Sequence, residues 1–372
     1  MGSKTSFEPT AVPHPGDTVQ EYLTFLEWSQ RDLARRTGLT PKTISEICNG
    51  KAPITVTTAL AFEKAFQRPA HFWLNLQRQF DEVEARRRDQ AKALGWDEWV
   101  RHFPLKEMRQ LQFSLPEGRS DADVLLAFFG VTSPGSWASV WRASAVQYRQ
   151  TRKMKVREEA IAAWVRETEI VARGLDVADF DPAGLRAAIG ALRELTRVSV
   201  DQVLDPIQEV CARVGVAVVV VPALRSTGIS GCARWLTEKR ALIGLTLRYK
   251  WDDQFWFTFF HEVAHLLLHR TKRPFVVDNA DDDLSDRVVD PEMQQIEAEA
   301  NRFSADTLIP PAALGTFLRA GEFTNESIHE FSATVGVGPG IVVGRLQHEG
   351  VLAPHQGNTL KQKLNWRFKE ES

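Results

Sequence analysis

The sequence predicts a mainly α-helical protein with a small β-sheet confined to its C-terminal part. Three observations lead there. Over residues 16–89, apolar residues recur at helical spacing in short segments separated by very short turns. Over 91–205 the helical pattern continues, with Trp96, Trp99, Phe103, Phe113, Phe128, Phe129, Trp137, Trp141 and Trp164 as its bulky apolar residues, expected in a core. Past Pro206, three short apolar runs at 216–221, 231–236 and 241–246 are each bounded by turn residues, the pattern of strands. At 372 residues the chain is too long for one ordinary domain. The expected division is 1–90, a helical linker or middle domain at 91–205, and an α+β region at 206–372.

Composition narrows the function classes. A hydrophobic fraction of 43% and a charged fraction of 25% are those of a soluble globular protein. Formal net charge is -2, so nucleic-acid binding has to come from a local patch. Residues 1–90 hold 12 Lys/Arg and 11 Asp/Glu, which leads to the same conclusion. No apolar run approaches the roughly 18 residues of a membrane span, and no basic-then-apolar leader opens the chain. Cys48, Cys211 and Cys232 make neither a disulfide framework nor a zinc ribbon. The expectation is a cytoplasmic protein with no membrane partner.

Residues 1–15, with three prolines, are expected to be an extended arm. Next, Ser29 with Asp32 three residues on resembles a capping box. Leu33 and Ala34 face inward, and Gly38 supplies the positive φ of a tight turn. Thr40 caps a second helix that has Pro41 at its first position. Ile44, Ile47 and Cys48 share one face of that helix, so Lys42, Thr43, Glu46 and Asn49 project outward, as a helix entering a major groove requires. The run Arg86-Arg87-Arg88 reads as a solvated helix face. The residues from His14-Pro15-Gly16 through Ser29-Gln30, Gly38-Leu39 and Asn49-Gly50-Lys51 to Phe72-Trp73-Leu74 resemble the HigA-type antitoxin domain of the XRE-like helix-turn-helix regulators. That resemblance implies a five-helix domain and a homodimer on double-stranded operator DNA. Lys42, Thr43 and Glu46 would then meet base edges, and Gln30, Thr40, Asn49 and Lys51 phosphates.

The third region carries the chemistry. A long helix is expected from Asp252 to about His269, and a second from Glu292 to about Leu308, where Pro310-Pro311 stops it. The acidic stretch between them, 278–286, reads as a solvated loop. In the first helix stands His261-Glu262-Val263-Ala264-His265. Histidines at i and i+4 leave one helix face a turn apart and reach one ion, best Zn2+, with Glu262 beside it as general base toward water. A third ligand is needed. Glu297 and Asn301, also i and i+4, offer a ligand and a brace for a ligand histidine, whereas Glu299 points roughly 200° away on an ideal helix. His269 is expected to pack or hydrogen-bond locally.

These residues, with Leu247-Arg248-Tyr249-Lys250, Phe255-Trp256-Phe257-Thr258, Leu268-His269 and Leu308-Ile309-Pro310, resemble the ImmA/IrrE metallopeptidases over roughly 206–347. The resemblance implies a zincin-like, gluzincin-like endopeptidase with two histidines and a downstream glutamate as ligands, acting on a helix-turn-helix repressor. Two departures are Ala264, where the family often has Gly, and Ser304, where Ala is common. The stretch 332–347 has the look of a second small helix-turn-helix, but Val342, Val343 and Leu346 favour packing. The leading reading is a regulator carrying a zinc peptidase that cleaves a repressor, an antitoxin or itself. The alternative is a repressor or antitoxin whose peptidase-like domain only senses a ligand or binds a partner.

Overall fold

The computed structural model describes residues 12–142, 157–199, 202–225, 227–246, 251–269, 275–277 and 291–364. The chain forms two compact units, Met1–Asp97 and Glu98–Ser372. The acidic stretch 278–286, Arg248 and Tyr249 lie outside the described residues, as does most of the expected N-terminal arm. Pro15 belongs to the first helix instead of the arm, because its fixed φ and missing N–H suit the first helical position.

The first unit contains α1 (Pro15–Phe25), α2 (Gln30–Thr37), α3 (Pro41–Cys48), α4 (Val56–Phe66) and α5 (Ala70–Ala93). Ser29 and Asp32 complete the capping box of α2, each side chain bonding the other's backbone. Gly38 ends α2 at φ 69°, a left-handed position open to glycine, and Thr40 caps α3 by accepting from the Thr43 amide. Val19, Leu33, Ile44, Ile47, Phe62 and Trp73 pack together as the core. That burial turns the opposite face of α3 outward.

The second unit begins with α6 (Asp97–Arg101) at the division, then α7 (Leu105–Gln110), α8 (Asp121–Phe129) and α9 (Pro134–Trp137), which runs on as a π-helical turn, Ala138–Arg142. The stretch Asp121–Trp141 is apolar enough for a membrane helix, but Gly130 at φ 66° breaks it. Its Leu125, Phe128, Phe129 and Trp137 lie in a protein core. Three helices follow, α10 (Glu158–Arg173), α11 (Pro182–Glu194) and α12 (Leu204–Ala212). Strands β1 (Val216–Val220), β2 (Gly231–Thr237), β3 (Arg240–Leu245) and β4 (Phe275–Val277) form a four-stranded sheet in the order β1-β3-β2-β4. β1 runs parallel to β3, and the other pairs are antiparallel. Then come α13 (Asp252–Leu268), α14 (Pro291–Leu308), α15 (Pro311–Ala320), α16 (Asn325–Val335) and α17 (Pro339–His348).

Successive strand residues point to opposite faces, and here both faces are covered. Val216, Val218 and Ile243 pack with Phe255, Phe259 and Val263 of α13. Ala217, Val219 and Leu242 pack with Ile161 and Trp164 of α10, and with the Phe128–Trp137 aromatics. The strands are therefore mostly apolar along their buried stretches instead of alternating. One core thus runs across position 205, joining the helical region 91–205 to the sheet. Trp164 Nε1 donates to the Val221 carbonyl at 3.2 Å, and Arg234 on β2 pairs with Glu169 on α10 at 3.0 Å. Val342, Val343 and Leu346 are fully buried, so α17 is a packing helix. The three cysteines are free and buried.

Candidate functional site

Helix α13 is buried around nearly its whole circumference, as its run of aromatic residues dictates. One face lies on the sheet and another on α14. The two helices cross, and Ala264 on α13 and Ala300 on α14 are small and fully buried. Ser304 fits the same crossing and donates its hydroxyl to the Phe257 carbonyl at 2.8 Å. Both departures from the expected family pattern are thus accommodated.

At that crossing the structure brings together His261, His265 and Glu297. The two histidine Nε2 atoms are 2.9 Å apart, and Glu297 carboxylate oxygens lie 3.1 Å from His261 Nε2 and 3.7 Å from His265 Nε2. Ligands about 2.1 Å from a tetrahedral zinc ion stand roughly 3.4 Å from one another, and these spacings bracket that value. The protonation pattern fits an ion as well. Asn301 Oδ1 lies 2.8 Å from His261 Nδ1. With the amide oxygen so placed, Nδ1 carries that ring's proton and Nε2 presents a lone pair toward Glu297. A lone pair held in a buried site beside a carboxylate and a second imidazole is a donor set for a cation. Burial first, then His261 and His269, hold His265 well below the ordinary histidine range, favouring the neutral form that binds metals.

The Glu262 carboxylate faces Gly231 of β2. Both its carboxylate oxygens are buried with no hydrogen-bond partner among the described residues, a costly arrangement for a merely structural side chain. Burial, then the charge of Glu297, push its carboxyl well above the usual range. Gly231 makes room for it: a Cβ there would stand 2.8 Å from Glu262 Oε1 and 2.7 Å from Thr258 Cγ2. Glu262 in turn helps burial push the neighbouring Cys232 thiol up to about 12, so that thiol is inert.

Two further residues adjoin the centre. His269 Nδ1 is 3.2 Å from His265 Nδ1, and His269 Nε2 is 3.0 Å from Glu299 Oε2. The 261, 265, 269 spacing contained the signal for His269. Glu299, the weaker ligand candidate on an ideal helix, meets His269 at the end of α13 and not the His261, His265 and Glu297 cluster.

In the first unit, Lys42, Thr40, Asn49 and Lys51 are exposed, while Thr43, Glu46 and Gln30 are half-buried. Thr40 and Thr43 share a hydroxyl contact of 2.8 Å, and Lys42 lies 3.8 Å from Glu46. Asn49 donates to the Ser45 carbonyl at 2.8 Å and closes α3. The seven residues gather at the start of α2 and along and just beyond α3.

Together, the two units define a DNA-binding helix-turn-helix regulator with a peptidase-family domain. Residues 22–73 match the family model for a helix-turn-helix, and residues 240–347 match the peptidase M78 model, an IrrE N-terminal-like domain. The latter range contains the whole His261, Glu262, His265 and Glu297 cluster. The chain belongs to the helix-turn-helix family of transcriptional regulators and carries an M78 peptidase-family domain toward its C-terminus. It is 37% identical over 73 residues to an uncharacterized HTH-type transcriptional regulator, YddM, of Escherichia coli (strain K12), a match covering 20% of this chain and 78% of that protein. Among solved structures it is similar to an addiction module antidote protein of a HigA family from Coxiella burnetii, at 36% identity and TM-score 0.21, over 22% of this chain and 88% of that one. It is also similar to the Pseudomonas aeruginosa antitoxin HigA with higBA promoter, at 25% identity and TM-score 0.22, over 22% of this chain and 90% of that one.

Proposed function

We propose that this chain binds operator DNA as a homodimer through α3, and that its second unit is a zinc-dependent endopeptidase cleaving a repressor, an antitoxin or the chain itself in a stress, phage or toxin–antitoxin response. In this reading 1–90 contacts DNA, 91–205 shields the sheet and 206–372 holds the metal site. The observation that carries it is the convergence of His261, His265 and Glu297 beside a buried, unpartnered Glu262.

His261, His265 and Glu297 would hold the ion. Zinc, when bound, supplies a Lewis acid that polarises a peptide carbonyl and acidifies water. Asn301 holds the His261 ring in the tautomer whose Nε2 lone pair faces the site. Glu262, as carboxylate, would accept a proton from the attacking water and then pass it to the leaving amine. Gly231 leaves the space in which it does so. On the DNA side, Lys42, Thr43 and Glu46 would meet base edges, and Gln30, Thr40, Asn49 and Lys51 phosphates.

Purified chain incubated with zinc, alone and with a helix-turn-helix repressor, is expected to yield discrete fragments. Glu262→Gln should slow their appearance by about a hundredfold or more while leaving bound zinc unchanged. Intact masses for all partners over hours, with zinc bound, would sink the peptidase reading.

A second reading has one observation in its favour. His261, Glu262 and His265 are each no more than 2% exposed, a degree of burial that a structural metal site would also show. A domain that keeps its metal for structure, and senses a ligand or partner instead, would look the same. The cleavage experiment separates the two.

A further inference from the structure

His269 closes the C-terminal end of α13, where a histidine would ordinarily reach solvent, yet it is 3% exposed. Its two ring nitrogens face different elements. Nε2 lies 3.0 Å from Glu299 Oε2 on α14, and Nδ1 lies 3.2 Å from Nδ1 of His265. Glu299 is itself held, since Gln295 Nε2 donates to its other oxygen at 2.9 Å.

The hydrogen-bonding capacities of these groups set the direction of the chain. A carboxylate only accepts, so His269 Nε2 carries a proton. In a neutral ring Nδ1 is then bare and can only accept. The proton between the two Nδ1 atoms therefore belongs to His265, whose Nε2 is left with a lone pair facing His261 and Glu297. We propose that Glu299 and His269 are positioning residues, a carboxylate–imidazole relay that fixes the tautomer and ring orientation of His265 for metal binding. This rests on the metal reading above.

The two histidines of the site are then held by unlike partners. His261 leans on a neutral amide, Asn301, whereas His265 leans on a second imidazole backed by a carboxylate. Glu299 has a 44% exposed side chain, so the relay runs from the protein surface to the buried centre. Partners of this kind raise the basicity of a ligand imidazole and restrict its rotation.

The test is zinc affinity of the full chain, by chelator competition, for His269→Leu, His269→Asn and Glu299→Gln. Leucine fills the space but accepts no hydrogen bond, and should weaken zinc by about tenfold to a hundredfold. Asparagine places an amide oxygen near the position of Nδ1 and should recover most of that loss. Glu299→Gln should fall between them. If His269 serves only to fill the core, leucine keeps the affinity and asparagine loses it, which overturns the proposal. Imidazole nitrogen NMR gives a second readout: a neutral Nε2–H tautomer at His269 is expected, and an Nδ1–H tautomer or a cation would also overturn it. Should the wild-type chain take up no zinc, the metal reading fails, while the spectrum of the same metal-free chain still decides the relay.

Discussion

Helix α3 and helix α13 use the same periodicity to opposite ends. In α3 the apolar stripe Ile44, Ile47 and Cys48 is buried, and the candidate contact residues stand on the other side, with the Lys42 side chain 84% exposed. In α13 the candidate residues are themselves inside, His261 at 1% and Glu262 at 0%. A surface array of this kind needs little support from neighbours, because water satisfies what the ligand does not. A buried array has to satisfy every polar atom internally or leave it ready for chemistry. That is why α13 is surrounded by Asn301, His269, Glu299 and Ser304.

The buried array is the easier of the two to disrupt, through the core beneath it. Phe259→Ala, which empties a fully buried aromatic site under the sheet, is expected to cost the second unit about 3–5 kcal/mol. Chemical denaturation followed by tryptophan fluorescence reads this, and operator binding by the first unit should persist. Loss of DNA binding in a variant whose first unit stays folded would show that surface and buried arrays are not independent.

A smaller effect comes from acid groups buried at the start of α13. Asp253 is paired with Lys361 at 2.6 Å, and Asp252 lies beside it. Burial first, and then the charge of Asp253, push the Asp252 carboxyl up to about 7 from its ordinary value of 3.8. The folded state thus binds a proton that the unfolded state has released, so stability falls as pH rises between those two values. The loss should be on the order of a few kcal/mol, measured as a falling denaturation midpoint. Asp252→Asn should flatten that slope, and a slope unchanged in the variant would remove Asp252 as its source.

The smallest effect belongs to the exposed side. Lys51→Ala is expected to weaken operator and random duplex alike, and to lower the salt slope of binding by about 0.9. Fluorescence anisotropy across a salt series checks it. A loss confined to the operator would mean that Lys51 reads bases and that the assignment of phosphate and base contacts needs revision.

What could be read from the residues followed the range of the interactions involved. Caps, turns and helix faces are local, so Ser29, Gly38, Thr40 and the strands near 216, 231 and 241 could be placed before any fold was known. The i, i+4 pairs His261/His265 and Glu297/Asn301 are local too, and only their meeting is long-range. The place of Glu299 is not local: its partner His269 stands at the end of another helix, thirty residues away in sequence. Gly231, thirty-one residues from Glu262, gave no signal, since what it offers is missing volume. The covering of the sheet by 91–205 was equally invisible, because an amphipathic helix does not announce which face of which sheet it meets.

That covering has a consequence for how the molecule can be taken apart. Ala217, Val219 and Leu242 would be left as a bare apolar floor in any piece that started at 206. The catalytic-type half therefore inherits its solubility from sequence that bears none of its chemistry. A natural cleavage or a gene rearrangement that keeps this half alive has to pass upstream of the aromatic helices, close to residue 98.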